Sequence, residues 1–205
     1  MKYDPDKHHR KSIRLKGFDY SSAGVYFVTI CAKDRKCIFG KVQNGRMILN
    51  DLGEMVQYQW KEIPIHFQNV ELDEFVVMPN HFHGILWLLD GSGNMTNPVG
   101  AKHSWQPTAS KQINIARNAS PLHPPNRPKG TKPGSLSAII QNFTSITSRK
   151  INRIRKTPGE KMWQRNFYDR IVRNEKELYN LRNYIIDNPL KWENDEENPS
   201  NWKSE

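Results

Sequence analysis

The sequence predicts an α+β domain in which helices pack on an antiparallel sheet. Short segments rich in β-branched and aromatic residues alternate with amphipathic segments, in the order β-β-β-α-β-β-α-β-α. An Asn-Gly pair between two apolar runs marks a hairpin, because a type I′ turn needs positive φ at both central residues. The chain has 205 residues, and we predict a single domain that spans 1–205.

Five strands and one helix are predicted in the first ninety residues. The strands cover 25–31, 36–42, 47–50, 70–78 and 81–89, and the helix covers 52–62. Asn44 and Gly45 form the hairpin turn. Asp51 is the predicted N-cap of the helix, and Pro64 is expected to end it. Both faces of the segment 81–89 are largely apolar, so we expect this strand in the middle of a covered sheet.

A polar stretch separates the two halves of the chain. Residues from about 91 to 134 are rich in Pro, Asn, Ser, Lys and Gly, which predicts a flexible insertion. An amphipathic helix is predicted to begin at Ser135 and to stop at the Thr-Pro-Gly of 157–159. The acidic tail from about 193 is expected to be frayed.

The last two predicted elements are a strand at 163–173 and a helix that follows it directly. Asn174 with Glu177 three residues later resembles a capping box, which indicates a helix start. The helix is expected to end at Asn188, because a proline at 189 disfavours helical geometry in the residue before it.

The net charge of the chain indicates which class of partner it binds. A formal net charge of +10 and a pI near 9.6 favour a polyanionic partner, nucleic acid first and an acidic membrane surface second. No apolar run approaches the roughly 18 residues of a membrane span, and the charged N-terminus does not read as a secretory signal. With only two cysteines, we expect a cytoplasmic protein in a reducing compartment.

His81 and His83 form the first candidate site. In an extended strand their side chains share one face, with Cα atoms roughly 6–7 Å apart, so both rings can converge on one metal ion. The pattern is weak by itself, because seven histidines in a chain of this length produce such a pair by chance quite often. The alternative is a pair of half-buried histidines that bond to backbone groups.

Tyr184 and Asn188 form the second candidate site, four residues apart on one face of the last helix. A side-chain amide that faces the sheet needs a partner, and a metal ion would serve. The alternative is an asparagine that caps the helix end and a tyrosine at the rim of the core.

Together, the segments MPNHFHGI and YIIDNP resemble the HUH nucleases, more narrowly the Y1 transposases of the IS200/IS605 type and their REP-associated tyrosine transposase branch. The similarity runs through RKSIRLKGFDYSSAGVYFVTIC, FGKVQNGRMILNDLGEMV, LDEFVVMPNHFHGILWL and MWQRNFYDRIVRNEKEL. It implies a ferredoxin-like fold, with His81, His83 and Asn188 as ligands of Mg²⁺ or Mn²⁺. Tyr184 would be the nucleophile, and asparagine rather than glutamine at 188 favours the REP-associated branch.

The resemblance also implies an activity. Relatives of this kind cut single-stranded DNA beside hairpins of palindromic repeats and form a 5′-phosphotyrosine intermediate. Nucleoid association, a monomer or a homodimer, and no membrane partner would follow. The alternatives are a domesticated hairpin-binding protein without catalysis and a basic structural protein in which the histidines lie more than about 10 Å from Tyr184.

Candidate DNA contacts are basic residues, which would bind phosphate, and aromatic residues, which would stack on unpaired bases. They are Arg10, Lys11, Arg14, Lys16, Arg149, Lys150, Arg153, Arg155, Lys156, Phe167 and Tyr168. Trp163 could either stack on bases or pack in the core. Tyr168 is the main rival nucleophile, and Tyr179 is a poorer one because it points away on the helix.

Overall fold

The computed structural model of the chain describes residues 18–90 and 131–202. Four of the predicted DNA contacts (Arg10, Lys11, Arg14 and Lys16) and most of the predicted insertion lie outside these residues. The strands are β1 (Gly24–Cys31), β2 (Gly40–Gln43), β3 (Arg46–Leu49), β4 (Val70–Val77), β5 (His81–Leu88) and β6 (Tyr168–Val172). The helices are α1 (Asp51–Lys61), α2 (Ile63–His66), α3 (Leu136–Arg155) and α4 (Glu175–Lys191).

Four strands form one antiparallel sheet in the order β4-β5-β1-β6, and β2 and β3 form a separate hairpin. With α1 between β1 and β4 and α3 between β5 and β6, this is the ferredoxin-like arrangement that the sequence predicts. The expected central position of β5 is confirmed, since it lies between β4 and β1.

The sheet has two buried faces with different contents. We call the first the α1/α3 face, where Trp60 of α1, Phe82 of β5 and Phe143 of α3 pack together. Gly84 allows this packing, because a Cβ at that position would lie 2.6 Å from the Trp60 ring. The second is the α4 face, where side chains of β1 and β5 pack against Leu178 and Ile185 of α4.

The hairpin prediction is confirmed in its backbone angles, and the start of the first helix needs one correction. Asn44 and Gly45 have φ values of 52° and 68°, as a type I′ turn requires. The N-cap of α1 is Asn50 rather than Asp51, since the Asn50 side chain accepts hydrogen bonds from the amides of Leu52 and Gly53.

Pro64 plays a different part from the one predicted. The helix α1 ends at Lys61, and Pro64 lies in the first turn of the short helix α2, where a missing amide proton costs nothing. The predicted strand at 36–42 is also shorter than expected. A 3-10 turn at Lys33–Arg35 precedes it, and β2 begins only at Gly40.

The end of the chain departs most from the prediction. The helix α4 continues through Pro189 to Lys191 instead of ending at Asn188. Burial explains the difference, because Trp192 directly after the helix is buried with its ring 6.0 Å from that of His81. This packing favours a continued helix over the break that a proline alone predicts.

The acidic tail, which the sequence predicts to be frayed, is described as far as Trp202. It forms 3-10 turns at Trp192–Asn194 and Pro199–Asn201, and Arg35 pairs with the Glu197 carboxylate at 3.0 Å. The Glu197 carbonyl also accepts a hydrogen bond from the Asn80 side chain at 2.7 Å, so the tail packs beside the turn between β4 and β5. Within 18–90 and 131–202, no helix has the length and apolar character that crossing a membrane requires.

Candidate active site

Two histidines lie side by side on the α4 face of β5. His81 is fully buried and His83 is 4% exposed, and their ring centroids are 4.5 Å apart. The alternation of the strand places both rings on the same face, as the sequence predicts, while Phe82 between them anchors the strand in the opposite core.

The helix α4 brings the predicted nucleophile to the histidines. The Tyr184 hydroxyl is 3.3 Å from Nε2 of His83, and the two ring centroids are 5.1 Å apart. Tyr184 is 41% exposed, so a substrate can reach it, whereas Asn188 one turn later is 2% exposed. The hypothesis of a basic structural protein, which requires more than about 10 Å between these side chains, is therefore wrong.

A network behind α4 holds this helix to the sheet. A bulge in β4 between Leu72 and Phe75 turns Asp73 toward α4. The Asp73 carboxylate accepts a hydrogen bond from Nε of Arg182 at 2.8 Å and one from the Trp87 indole at 2.8 Å. Arg182 lies two residues before Tyr184, so these hydrogen bonds fix helix α4 to the sheet close to Tyr184.

The three titratable groups of the site are all perturbed by burial. Burial lowers the pKa of His81 to about 4, with the nearby Asp195 carboxylate opposing that shift. Burial and the neighbouring His81 hold the pKa of His83 well below its usual value. Burial also raises the pKa of the Tyr184 hydroxyl, and Asp195 raises it further. At neutral pH both imidazoles are therefore neutral and the phenol is protonated.

Two buried acceptors lie unused in this site. Among the described residues, neither Nε2 of His81 nor Oδ1 of Asn188 makes a hydrogen bond of good geometry, although the Asn188 side chain lies close enough to oppose the pKa shifts of both His81 and Tyr184. A buried polar atom without a partner destabilises the folded state, and a ligand that binds it removes that cost. Both atoms are therefore candidate ligand contacts. Two neutral imidazole nitrogens and an amide oxygen suit a divalent ion such as Mn²⁺. The described residues contain no group of three or more His, Cys, Asp and Glu side chains that could hold a metal, so such a site depends on Asn188.

Two cavities meet at Tyr184. One of about 1190 Å³ has His83, Tyr184 and Asn188 in its wall, and the other of about 840 Å³ lies beside the start of α4. Tyr168 also lines both cavities. Its ring is 40% exposed and contacts Phe27, which contacts Tyr184 as well. Tyr168 thus lies beside Tyr184, the predicted nucleophile, and not in its position.

The structure places the predicted DNA contacts in two groups. Phe167 and Tyr168 line the larger cavity. The exposed basic end of α3 does not, since that helix contributes only Ser137, Ile140, Gln141 and Thr144 to the wall. The cavities have other cations that the sequence did not single out: Arg35, Arg165 and Lys191 in the larger one, and Arg170, Arg173 and Lys176 in the smaller.

Two ambiguous aromatic residues are resolved by their surroundings. Trp163 is a core residue, because it is 7% exposed and its indole donates to Oγ1 of Thr147 at 2.9 Å. Tyr179 is 64% exposed and lines neither of the two cavities. The alternation of side chains along β6 could have predicted one of the cavity cations. Arg170 shares with Tyr168 the face of β6 that points toward the histidines.

Comparisons with known proteins bear on the family and the fold of the chain. No family profile matches the chain. An uncharacterized protein of Haemophilus influenzae (strain Rd) is 38% identical over 199 residues, which cover 95% of this chain and 96% of that protein. The structure of a REP-associated tyrosine transposase bound to a REP hairpin aligns with a TM-score of 0.51 and 15% identity, over 88% of this chain and 73% of that one.

A third match is weaker. A structure assigned to a transposase of Deinococcus radiodurans covers 87% of this chain and 98% of its own, at 14% identity and a TM-score of 0.42, which is too low to support an argument. The first two matches suffice for a conclusion. The chain belongs to the same family as the Haemophilus influenzae protein, and its fold is that of the Y1 transposases, as its motifs predict.

Proposed function

We propose that the protein is a metal-dependent endonuclease and strand transferase for single-stranded DNA, with Tyr184 as its nucleophile. The observation that carries the proposal is the approach of the Tyr184 hydroxyl to within 3.3 Å of Nε2 of His83, with buried Asn188 one turn away. A nucleophile beside two neutral imidazoles and an unpaired amide oxygen is an arrangement suited to phosphoryl transfer.

His81, His83 and Asn188 would hold a divalent ion, Mn²⁺ or Mg²⁺. Such an ion makes a phosphate more electrophilic by Lewis-acid polarisation. All three side chains are neutral, so they would leave the positive charge of the ion uncompensated for the phosphate.

Tyr184 enters the reaction protonated, because its pKa is raised. Its oxygen would form a bond to phosphorus while the bond from phosphorus to the 3′ oxygen breaks, and the tyrosine proton would end on that 3′ oxygen. The products are a 5′-phosphotyrosine and a free 3′-hydroxyl. The new ester retains the energy of the old one, so the reverse step can join the DNA to another 3′ end without ATP.

Nε2 of His83 has two possible partners, and it can serve only one at a time. It lies 3.3 Å from the Tyr184 hydroxyl and can accept its proton when Nδ1 of His83 carries the ring proton, whereas as a metal ligand its lone pair is occupied. The hydroxyl contact therefore positions Tyr184 before the ion binds.

The proposed substrate is single-stranded DNA with a hairpin. The transposase of similar fold is bound to a REP hairpin, the chain carries a net charge of +10, and the two cavities beside Tyr184 contain arginines and lysines. Tyr168, whose ring is half-exposed, would stack on an unpaired base next to Tyr184.

A covalent adduct tests the proposal. With Mn²⁺ and hairpin oligonucleotides taken from the DNA that flanks the gene, we expect an adduct that carries the 3′-labelled fragment and releases the 5′-labelled one. Tyr184→Phe should abolish the adduct, and Tyr179→Phe on the exposed side of the same helix should not. Hairpin binding without any adduct, unchanged by EDTA, would instead identify a binding protein without catalysis.

A further inference from the structure

Asn80 is the last of the three residues between β4 and β5, directly before the first histidine. The turn is closed by the Met78 amide, which donates to the His81 carbonyl at 2.8 Å. Asn80 is fully buried, and three hydrogen bonds to its side chain connect three separate parts of the chain. A turn residue rarely needs this much burial, because turns lie at the surface.

The orientation of the Asn80 amide is determined by its neighbours. Its Nδ2 donates to the carbonyl oxygens of Arg35 at 3.0 Å and of Glu197 at 2.7 Å. Carbonyl oxygens can only accept, so the nitrogen of the amide must face them. The amide oxygen is consequently the atom that lies 2.8 Å from Nδ1 of His81.

This geometry determines the tautomer of His81. An amide oxygen only accepts hydrogen bonds, so Nδ1 of the neutral imidazole must carry the proton. Nε2 is then an unprotonated lone pair, and it is the buried atom left without a partner among the described residues. A free neutral histidine prefers the opposite tautomer, so Asn80 reverses the intrinsic preference.

His83 offers a contrast on the same strand. Its Nδ1 lies 2.7 Å from Oγ1 of Thr29, and a hydroxyl can either donate or accept. Thr29 therefore permits both tautomers of His83, whereas Asn80 permits one tautomer of His81.

We propose that Asn80 is a positioning residue that prepares His81 for metal binding by fixing its proton on Nδ1. The inference rests on the proposed function, since it assumes that His81 is a ligand. A ligating histidine binds the metal through one ring nitrogen, and a hydrogen bond from the other nitrogen sets its tautomer and ring orientation. Loss of that hydrogen bond typically weakens metal binding roughly 10- to 100-fold.

Two substitutions separate this role from a purely structural one. Asn80→Ala removes the acceptor, and Asn80→Asp keeps an oxygen against Nδ1 while it removes donors to the two carbonyls. Asn198→Ala is the matched control. Asn198 is also a buried asparagine, and its Nδ2 holds the tail through the Trp192 carbonyl at 3.0 Å. Its loss should loosen the tail, while the Arg35 carbonyl still orients the Asn80 amide toward His81.

The first measurement is the ¹⁵N spectrum of the histidine side chains in the full chain after treatment with EDTA. In the wild type we expect His81 with protonated Nδ1 and bare Nε2. The opposite tautomer in the wild type would overturn the inference without reference to any variant. Asn80→Ala should shift His81 toward protonated Nε2, and Asn80→Asp should not.

The second measurement is the affinity for Mn²⁺ alone, by calorimetry. We expect a loss of roughly 10- to 100-fold for Asn80→Ala and a much smaller change for Asn80→Asp and Asn198→Ala. Wild-type affinity in Asn80→Ala, or an equal loss in Asn198→Ala, would overturn the inference. A wild type that binds no Mn²⁺ would refute the proposed function, whereas the tautomer spectrum would still test Asn80.

Discussion

The two faces of the sheet are built from the same strands, but one is closely packed and the other is bordered by cavities. On the α1/α3 face, Trp60, Phe82 and Phe143 form a close aromatic cluster with ring centroids 4.5 to 5.6 Å apart. On the α4 face, His81 and His83 lie under a helix that leaves cavities on both sides of Tyr184. Adjacent residues of β5 thus serve a packed core and an accessible site.

Of the buried polar atoms without a partner in the described part of the chain, two lie on helix α1, and two lie in the site on the α4 face. On α1, among the described residues, they are donors, Nε2 of Gln59 and Nε1 of Trp60. On the α4 face they are acceptors, Nε2 of His81 and Oδ1 of Asn188. Only acceptors can bind a cation. The two acceptors beside Tyr184 are therefore suited to bind a cation, and leaving them unpaired costs stability.

The largest effect should come from the aromatic cluster. Phe143 is 1% exposed and touches Trp60, Phe82 and Trp163. We expect Phe143→Ala to lower the free energy of unfolding by about 3–5 kcal/mol, because it leaves a cavity. Urea denaturation measures the loss.

The same variant tests whether the faces are independent. The affinity of folded Phe143→Ala for Mn²⁺ should stay within about threefold of the wild type, since the substitution lies on the other side of the sheet. A parallel loss of stability and Mn²⁺ affinity would show that the faces are coupled through β5.

The next effect is a dependence of stability on pH in the metal-free protein. The unfolded state protonates His81 near pH 6.5 and the folded state only near pH 4, so the unfolded state binds more protons between these values. Stability should therefore fall as the pH drops through this window, by on the order of 3 kcal/mol for His81.

His81→Leu isolates this contribution. The variant should show a smaller loss of stability between pH 6.5 and 4 in denaturant titrations with EDTA. His66→Gln, which removes an exposed histidine, is the control and should keep the wild-type slope. Equal slopes in wild type and His81→Leu would mean that His81 is not held neutral in the folded state.

The sequence predicts the α4 face less completely than the sheet. Period-two alternation places His81 and His83 correctly, and the Asn-Gly turn fixes the hairpin, because both signals are local. The continued helix after Asn188 and the ordered tail depend on long-range contacts such as those of Trp192 and Glu197. Local propensity cannot reveal these contacts, and neither can it reveal the partners of Asn80.

A smaller effect should follow from the Asp73–Arg182 pair, which fixes α4 to the sheet. Asp73→Asn should cost about 1–3 kcal/mol of stability, less than for a fully buried pair, because the Arg182 side chain is 23% exposed. Asp187→Asn on the same helix, which breaks an exposed pair with Lys191, should cost only about 0.3–0.5 kcal/mol. Thermal unfolding of both variants compares them, and equal losses would deny Asp73 a special part in holding α4.

The smallest expected effect is a change in Mn²⁺ affinity when the contact between Tyr184 and His83 is removed. If the Tyr184 hydroxyl occupies Nε2 of His83 before a metal ion binds, its removal should make that nitrogen easier to reach. A net hydrogen bond is worth about 0.5–1.5 kcal/mol, and at 3.3 Å this one is long, so we expect Tyr184→Phe to bind Mn²⁺ about two- to fivefold more tightly. Tyr168→Phe is the control, because its ring lines the same cavity and contacts Phe27. Weaker Mn²⁺ binding in Tyr184→Phe would show instead that the hydroxyl helps to hold the ion. Tyr184 would then be a metal ligand as well as the proposed nucleophile.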